Sequence, residues 1–459
     1  MKKILAYSLI LTVIFSFCKT QKITNAPRPM EQYDNAEEQA LVSTLSIPIY
    51  IPISDLVASL NNSLSGHALY EDYSYSDNGY DGLMFNAWKS QNITLSMFGN
   101  TLKYRVPLKL WIKKELVFGT AAEAVAELAL NFRTVFRLNQ DWTISTQTEV
   151  EWHEWLQRPV LKTGLGDISV ETIANLALNR SKKTLAEEID KYVNQQINLR
   201  PYVQSAWTAI QEPVLLDSAY QMWSKTTPIS IGMTPLNSYN NTIQSTIAIE
   251  CINDVTFGAE PSFRQNSFLP DLNLITDAPD DFIMQFATDV PFAEAERLAK
   301  NMMIGQVFES GKKKVKVEDL KLWGNNDKLV VNTRLSGSFK GDIYFIGKPV
   351  FNTVKNAVEV KDLDFHFDTR SFLLRSAAWI FQGPIKRKMA SAMTFPMAEN
   401  VTSIKNSVQE TLDFYEIQPG VVLKGTIDSV AVQDVHVTPS SIRVNLYSKG
   451  KVAVDVRGL

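Results

Sequence analysis

The sequence predicts an α+β fold made of two tandem units, because one strand-to-helix pattern occurs twice in the chain. In the first copy, apolar residues alternate from Leu45 to Ile53 and then recur every four residues from Leu56 to Leu64. Alternation is typical of a strand, and the wider spacing is typical of one helix face. The second copy, Phe282 to Met303, passes through Val290-Pro291-Phe292 into a similar helix. We infer an internal duplication.

The segments that follow the two copies agree in their order as well. Alternating stretches predict strands on either side of hairpin signals at Gly99-Asn100 in the first half and at Gly324 to Asp327 in the second. Each half then contains a long amphipathic helix. In the second half its apolar face runs from Ile385 to Leu412, and we expect Pro396 to kink it. Each half closes on strands, and coincidental order is the alternative to duplication.

These signals divide the chain into five parts, and its length suffices for two domains of ordinary size. We expect an export signal at residues 1–18 and a flexible polar tether at 19–40. The first α+β unit is expected at 41–258, a linker rich in Pro and Asp at 259–279, and the second unit at 280–459.

The first eighteen residues have the pattern of a bacterial export signal that ends in a lipid-modified cysteine. Two lysines precede the apolar stretch Ile4 to Phe17, which is too short for a comfortable membrane span. Cys18 follows, and we expect it to carry the lipid anchor. Phe17 stands where a small residue is usual, so an ordinary signal cut nearby and an uncleaved anchor are the alternatives. Lys19 favours a periplasm-facing protein, and we expect a membrane-anchored lipoprotein of the cell envelope.

Composition and charge indicate a globular body. Hydrophobic residues make up 45% of the chain and charged residues 21%. A formal net charge of −3 gives no electrostatic reason to expect a nucleic-acid partner. The second of the two cysteines, Cys251, lies in an apolar alternation, and we expect it to be a small core residue.

The motifs of common enzymes do not occur in this sequence. It has no GxSxG elbow, Walker A loop, GxGxxG, HExxH or CxxC. The four histidines, His67, His153, His366 and His436, lie far apart, and none has a second ligand at metal spacing. We therefore expect no catalytic residues, no cofactor and no metal site, and a protein that is not an enzyme.

The apolar faces of the predicted helices suggest two alternatives. They either seal a dry core or border an elongated slot for a hydrophobic molecule, and methionine favours a slot because its side chain adapts to irregular shapes. The hypothesis of a slot predicts that the following residues bind a lipid or another hydrophobic ligand: Leu56, Leu60, Leu64, Met302, Met303, Met389, Met393 and Met397.

A packed, non-enzymatic scaffold protein of the cell envelope is the alternative function. In that case we expect protein partners to contact the stretch from Tyr70 to Gly82, which is rich in Tyr, Asp and Gly and is predicted to be a long loop. A solvated connection within a hairpin is the simpler interpretation of the same stretch.

Four segments carry a resemblance to a known family. They are the leader that ends at Cys18, SIPIYIPISDLVASLNNSL, LKYRVPLKLWI and GDIYFIGKPVF. With them the chain resembles a family of uncharacterised Bacteroidetes lipoproteins known as a domain of unknown function, over nearly all of its length after Cys18. It is also distantly similar to the tubular lipid-binding superfamily, which includes bactericidal permeability-increasing protein.

The resemblance to the tubular lipid-binding (TULIP) superfamily implies a more specific fold and function. It implies that each unit is a curved antiparallel sheet wrapped around long amphipathic helices, with lipid tails held between them. The expected function is then an envelope lipoprotein that binds or transfers lipid or another hydrophobic ligand. This expectation is an analogy at the level of the fold.

Overall fold

A computed structural model of the chain describes most of its residues. The described ranges are 26–33, 40–66, 68–72, 83–115, 121–163, 166–196, 199–218, 221–366, 369–370, 372–373, 378–381, 383–418 and 420–457. Cys18, His67 and residues 73–82 of the Tyr-rich stretch lie outside them. Within these ranges, no helix is long and apolar enough to cross a membrane.

The first half begins with a strand that runs directly into a helix and ends with strands. Its helices are α1 (Ile53–Ser63), α2 (Glu171–Gln196) and α3 (Arg200–Ala209). Its first strands are β1 (Val42–Pro52), β2 (Ala68–Asp72), β3 (Leu83–Lys89), β4 (Thr94–Phe98), β5 (Thr101–Glu115), β6 (Ala121–Leu138), β7 (Ile144–Thr163) and β8 (Gly166–Ser169). The strands after α3 are β9 (Val214–Asp217), β10 (Met222–Met233), β11 (Asn237–Tyr239) and β12 (Thr242–Phe257).

The second half also contains a strand that runs directly into a helix, and it also ends with strands. After β13 (Asn273–Leu274), its helices are α4 (Phe292–Met303), α5 (Gly383–Ala392) and α6 (Ala398–Asp413), with a 3-10 turn at Ala378–Phe381. Its strands up to α6 are β14 (Phe282–Pro291), β15 (Val307–Ser310), β16 (Lys313–Asn325), β17 (Lys328–Gly337), β18 (Gly341–Asn352), β19 (Ala357–Phe365) and β20 (Phe395–Pro396). The last strands are β21 (Tyr415–Gln418), β22 (Val421–Val437) and β23 (Ser441–Val456).

The described strands form three curled and mostly antiparallel sheets. The N-terminal sheet has the order β2-β3-β5-β6-β7-β8, with β4 paired to β5, and the C-terminal sheet has the order β15-β16-β17-β18-β19-β20. The third sheet, which we call the central sheet, has the order β13-β10-β12-β1-β14-β23-β22-β21, with β9 and β11 at its side. The predicted α+β class agrees with this architecture.

Each half covers the inner face of its own sheet with helices. In the N-terminal sheet, alternate residues such as Leu108, Leu128 and Leu130 are buried, and Leu178 of α2 packs on them. In the C-terminal sheet the corresponding layer includes Val317, Ile343 and Phe345 and meets Met389 of α5. These layers follow from the alternation of apolar residues along the strands.

The central sheet joins the two halves, which differs from the expectation of one sheet for each unit. The first strands of the halves lie side by side, with Thr44 of β1 opposite Ile283 of β14. The last strand of each half then pairs in parallel with the first strand of the other: β12 with β14, and β23 with β1. Short strand pairings therefore join the two halves in one sheet, while β1 with β12 and β14 with β23 form the longer pairings within each half.

A buried polar network lies where the halves meet. The side-chain amide of Asn253 on β12 donates to the hydroxyl of Ser43 on β1 at 2.7 Å and to the carbonyl of Gln285 on β14 at 3.1 Å. It also accepts a hydrogen bond from Thr226 of β10 at 2.9 Å. Asn253 is 1% exposed and Ser43 is fully buried. Four strands from both halves thus share one set of hydrogen bonds.

Cys251 lies beside this network, as a core residue. It is fully buried, as its alternation with Ile249 predicts. Burial raises the pKa of its thiol to about 11, against a smaller opposing effect of Asn253. The neutral thiol is therefore the stable form at physiological pH, and the prediction of a core cysteine is confirmed.

The long helix predicted from Ile385 to Leu412 is wrong, because the chain forms two helices there. α5 ends at Ala392 and α6 begins at Ala398. Between them Pro396 and Phe395 form the short strand β20, which pairs with Ala357 and Val358 of β19. Proline lacks an N–H group and keeps the preceding residue out of the helical region, so it breaks the helix instead of kinking it.

Part of the predicted tether lies on the folded body. Ala26 is buried beside Trp323, Val330 and Tyr344, on the face of the C-terminal sheet opposite its helices. Its N–H donates to the carbonyl of Asp342 at 3.1 Å, and the guanidinium carbon of Arg28 lies 4.9 Å from the ring centroid of Trp323. The expectation of a flexible tether is therefore wrong for residues 26–33.

Two other loop predictions are corrected in the same way. Residues Tyr70 to Asp72 of the Tyr-rich stretch belong to β2 and are not a loop. In the expected linker, Leu269 and Leu272 are 1% and 2% exposed and pack with Trp142 and Trp207. The indole of Trp142 donates to the carbonyl of Pro270 at 2.9 Å. This segment therefore forms part of the first half's core.

The network at Asn253 generates a prediction for stability. We expect Asn253→Ala to lower the free energy of unfolding by about 1–3 kcal/mol, because Ser43 and Thr226 lose a buried partner. The same change at Asn237, which is exposed on β11, should cost no more than about 0.5 kcal/mol. Urea unfolding followed by circular dichroism measures both values.

A double-mutant cycle with Ser43→Ala tests whether the two halves are coupled through this hydrogen bond. We expect a coupling energy of about 0.5–3 kcal/mol between positions 43 and 253. Additive effects, or equal costs at Asn253 and Asn237, would contradict the structural role of the network.

Candidate functional site

A large apolar cavity lies between the central sheet, the C-terminal sheet and three helices of the second half. The space inside it amounts to about 1320 Å³ including the part open to solvent, and about 200 Å³ of that admits the centre of a water molecule. Thr288 and Thr394 are the polar members of its lining, and every other lining residue is apolar.

Helix α4 forms one wall. Its lining residues recur at helical spacing and are Ala295, Leu298, Ala299, Met302 and Met303. The side of the helix next to this face is held by charges: the ammonium of Lys300 lies 2.8 Å from Glu296 and 3.1 Å from Asp319 of β16. Hydrogen bonds to these two carboxylates raise the pKa of Lys300. The ion pairs at the polar face therefore leave the apolar face directed at the cavity.

The chain between α5 and α6 forms a second wall. Because β20 interrupts the helix there, the backbone presents consecutive side chains, and Met393, Thr394, Phe395 and Met397 all line the cavity. The backbone N–H of Met393 bonds to the carbonyl of Met389 at 3.0 Å, which extends the last turn of α5. The interruption at Pro396 thus brings more side chains to the cavity than one helical face would.

The C-terminal sheet forms the floor with inward-facing residues of four neighbouring strands. They are Leu320 and Leu322 of β16, Leu329 and Val331 of β17, Pro349 of β18, and Val358 and Val360 of β19. The register between β18 and β19 is irregular beside Asp362, which has a φ of 55°. Such a bulge bends the strand and increases the curl of the sheet.

The central sheet forms the last wall, and it includes residues of the first half. Met222 of β10 and Phe257 of β12 are paired partners at one end of the sheet and both line the cavity. From the second half come Thr288 and Val290 of β14, together with residues of β23. The cavity is thus built by both halves.

Thr288 is the buried polar group of this wall. It is 5% exposed, and its hydroxyl has no hydrogen-bond partner among the described residues. The charged neighbour Asp289 points to the other face of the strand, where it pairs with Arg443 at 2.6 Å. Since the lining residues that the structure describes are not ionisable, the cavity suits an uncharged, apolar molecule or part of one.

The opening of the cavity includes Met302. Met302 is 37% exposed, whereas Met303, the next residue, is 1% exposed. Ile304 and Val307 follow along the chain and are also exposed, at 48% and 47%. Exposed apolar side chains therefore continue outward from the cavity wall at this point.

The structure places the eight predicted ligand-binding residues in three different environments. Met302, Met303, Met393 and Met397 line the cavity. Met389 is 1% exposed and packs in the core of the second half. The three leucines of α1 are half-buried, and this helix lies against β1 and β4, away from the cavity. Ligand binding by any of the eight stays a prediction.

Several cavity residues could not be found by a search for helical faces. Met222, Phe257 and Thr288 lie on strands, and the sequence gives no signal that the ends of β10 and β12 reach the second half.

Helix α1 is held in place by a polar contact. The side chain of Asn61 forms hydrogen bonds with the backbone of Ile93 at 2.8 and 3.0 Å. This contact fixes α1 against the connection before β4.

Comparison with solved structures gives distant likenesses. The crystal structure of a lipopolysaccharide binding protein matches with 11% identity, 91% of this chain and 100% of that chain covered, and a TM-score of 0.30. P47 of Clostridium botulinum E1 matches with 10% identity, 89% and 98% coverage, and a TM-score of 0.20. At these TM-scores the likeness carries no argument about the ligand.

Comparison at the level of sequence identifies a family. No curated protein matches this chain. One family model matches residues 42–456, which include both halves and all three sheets. The chain therefore belongs to the family described as Domain of unknown function (DUF4403).

Proposed function

We propose that this protein binds a hydrophobic ligand, a lipid or another molecule with an apolar tail, in the cavity between its sheets. The observation that carries the proposal is the apolar lining, which both halves supply. The proposal concerns binding or transfer, because the described lining residues are apolar except for Thr288 and Thr394.

The size of the cavity favours a ligand over a packing defect. Protein interiors are close-packed, with few voids larger than a water molecule, and each void costs stability. The part of the cavity that admits the centre of a water molecule is about 200 Å³, many times the roughly 10–15 Å³ that one water molecule needs. The cavity is therefore larger than an ordinary packing void.

The chemistry of the walls favours a flexible, apolar ligand. Five methionines on three walls line the cavity, namely Met222, Met302, Met303, Met393 and Met397, and their side chains adapt to irregular shapes. The opening at Met302 gives a route of entry that is itself apolar.

We further propose that the protein is an envelope lipoprotein anchored through Cys18 and facing the periplasm. The support is the sequence of residues 1–19, in which a charged start and a short apolar stretch precede the cysteine. A protein near a membrane would have a supply of ligands with apolar tails.

Two substitutions in neighbouring turns test the cavity. We expect Met393→Trp to fill space that the ligand uses, so that co-purifying lipid is lost while the melting temperature stays close to that of the parent. Met389→Trp, one helical turn earlier, adds the same bulk to a closed core and should cost about 1–3 kcal/mol. Mass spectrometry of an organic extract, with thermal unfolding of each variant, measures both effects.

Thr288→Val is the matched control for a change in the lining without added volume. It replaces an unsatisfied hydroxyl with a methyl group, so the melting temperature should not fall. Lipid should stay bound. A stable Met393→Trp protein that keeps the full complement of lipid would contradict the proposal. A parent protein that never carries a hydrophobic molecule would contradict it as well.

The anchor is tested by metabolic labelling with palmitate in the native type of host. We expect the label to be incorporated into the parent and to be absent from a Cys18→Ala variant, because no thiol remains at that position to receive the lipid. Label that persists in the variant would exclude this anchor, whatever the outcome for the cavity.

A further inference from the structure

Five cations that have no ion-pair partner among the described residues lie at one end of the C-terminal sheet. We call them the basic tip: Lys312, Lys313, Lys340, Arg387 and Lys388. Lys312 and Lys313 lie at the β15–β16 turn, Lys340 at the β17–β18 turn, and the other two on α5. All five are exposed, and none pairs with a carboxylate among the described residues.

Contacts between the turns bring these cations to one surface. The backbone N–H of Ser338 in the β17–β18 turn donates to the carbonyl of Lys314 at 2.8 Å. The ammonium of Lys313 lies 5.0 Å from the ring centroid of Trp379, in the 3-10 turn before α5. The pKa of Glu309 is lowered mainly by Lys314 and also by the charge of Lys388, which places α5 beside β15.

The carboxylates at this end are already paired with other cations. The pairs are Glu309 with Lys314, Glu318 with Lys316, Asp342 with Arg334, and Asp364 with Lys386, at 2.7 to 3.3 Å. The basic tip is therefore a surplus of positive charge on a protein whose formal net charge is −3. A concentrated charge of this kind attracts anions locally, independently of the net charge.

The path of the N-terminal segment points to the same end of the sheet. Residues 26–33 run from the carbonyl of Asp342, beside Lys340, to Asn326 at the opposite end of the sheet, whose N–H donates to the carbonyl of Gln32 at 2.7 Å. Ala26, the first described residue, therefore lies at the end of the sheet that carries the basic tip. Cys18 precedes Ala26 by eight residues, which span no more than about 29 Å.

We propose that the basic tip binds the anionic headgroups of a lipid bilayer and holds this end of the second half against the membrane. Two observations support this partner. The positive charge of the basic tip is complementary to anionic headgroups, and Ala26, eight residues after Cys18, lies at this end of the sheet. The proposal does not depend on which ligand the cavity takes. It predicts attraction that weakens as salt is added, because exposed charges are screened.

Vesicle binding tests the proposal with the full chain carrying Cys18→Ser, so that no attached lipid tethers it. The vesicles contain phosphatidylcholine with or without phosphatidylglycerol. The tip variant combines Lys312→Gln, Lys340→Gln, Arg387→Gln and Lys388→Gln. Each cation near an anionic surface contributes about fivefold in affinity. We therefore expect the binding that depends on phosphatidylglycerol to fall by about a hundredfold or more.

The matched control removes four charges from exposed or half-buried lysines of the first half: Lys103→Gln, Lys182→Gln, Lys183→Gln and Lys191→Gln. This variant has the same net charge and should bind as the parent does. Undiminished binding by the tip variant, or an equal loss in the control, would overturn the proposal.

Hydrogen exchange of the unsubstituted chain gives a second measurement that does not depend on the stability of a variant. On addition of vesicles with phosphatidylglycerol, we expect slower exchange in residues 307–316 and 383–392. No change there, with protection elsewhere in the folded body, would equally overturn the proposal. Lipid extraction reports on the cavity separately, so the two proposals can fail independently.

Discussion

The strand pairing between the two halves in the central sheet is the constraint on which the rest of the structure depends. The last strand of each half pairs with the first strand of the other, and the buried amide of Asn253 links four strands across that boundary. A buried polar group of this kind is stabilising only when all its partners are in place. The register of the two halves relative to each other is therefore fixed by hydrogen bonds as well as by apolar packing.

The cavity follows from this arrangement. Because β12 lies next to β14, the end of the first half's sheet reaches the second half, and Phe257 and Met222 become part of its wall. The break at Pro396 then places Met393 and Met397 opposite α4. Strand β15, about 13 Å long, leads from the opening near Met302 to the basic tip. If that tip lies on a bilayer, the opening is close to the headgroups, where a molecule with an apolar tail would enter.

The sequence predicted the composition of the fold better than its connections. Strand alternation and the repeated passage through Pro52 and Pro291 into a helix depend on neighbouring residues, and these local signals gave the α+β class and the order of elements. The pairing of β12 with β14 is a contact between strands that local periodicity does not specify. The predicted ligand residues were chosen by helical spacing and, for the methionines, by the adaptable side chain, and this choice treated Met389 like Met393. Whether a position on such a face meets a cavity or a closed core depends on the partner sheet.

The segment at residues 26–33 shows the same limit. Its prolines and polar residues are typical of a tether, and only the packing of Ala26 on Trp323 and Tyr344, which are far away in the sequence, explains why it is buried there.

The account's central claim is that both halves build one site for a hydrophobic molecule, and photochemical cross-linking tests it most directly. The full protein is irradiated with a fatty acid that carries a diazirine in its tail, and the labelled residues are identified by mass spectrometry. The account predicts labels on Met393 or Met397 and also on Phe257 or Met222, all removed by an excess of unlabelled fatty acid. Labels confined to the outer surface, or labelling that the excess does not reduce, would contradict it.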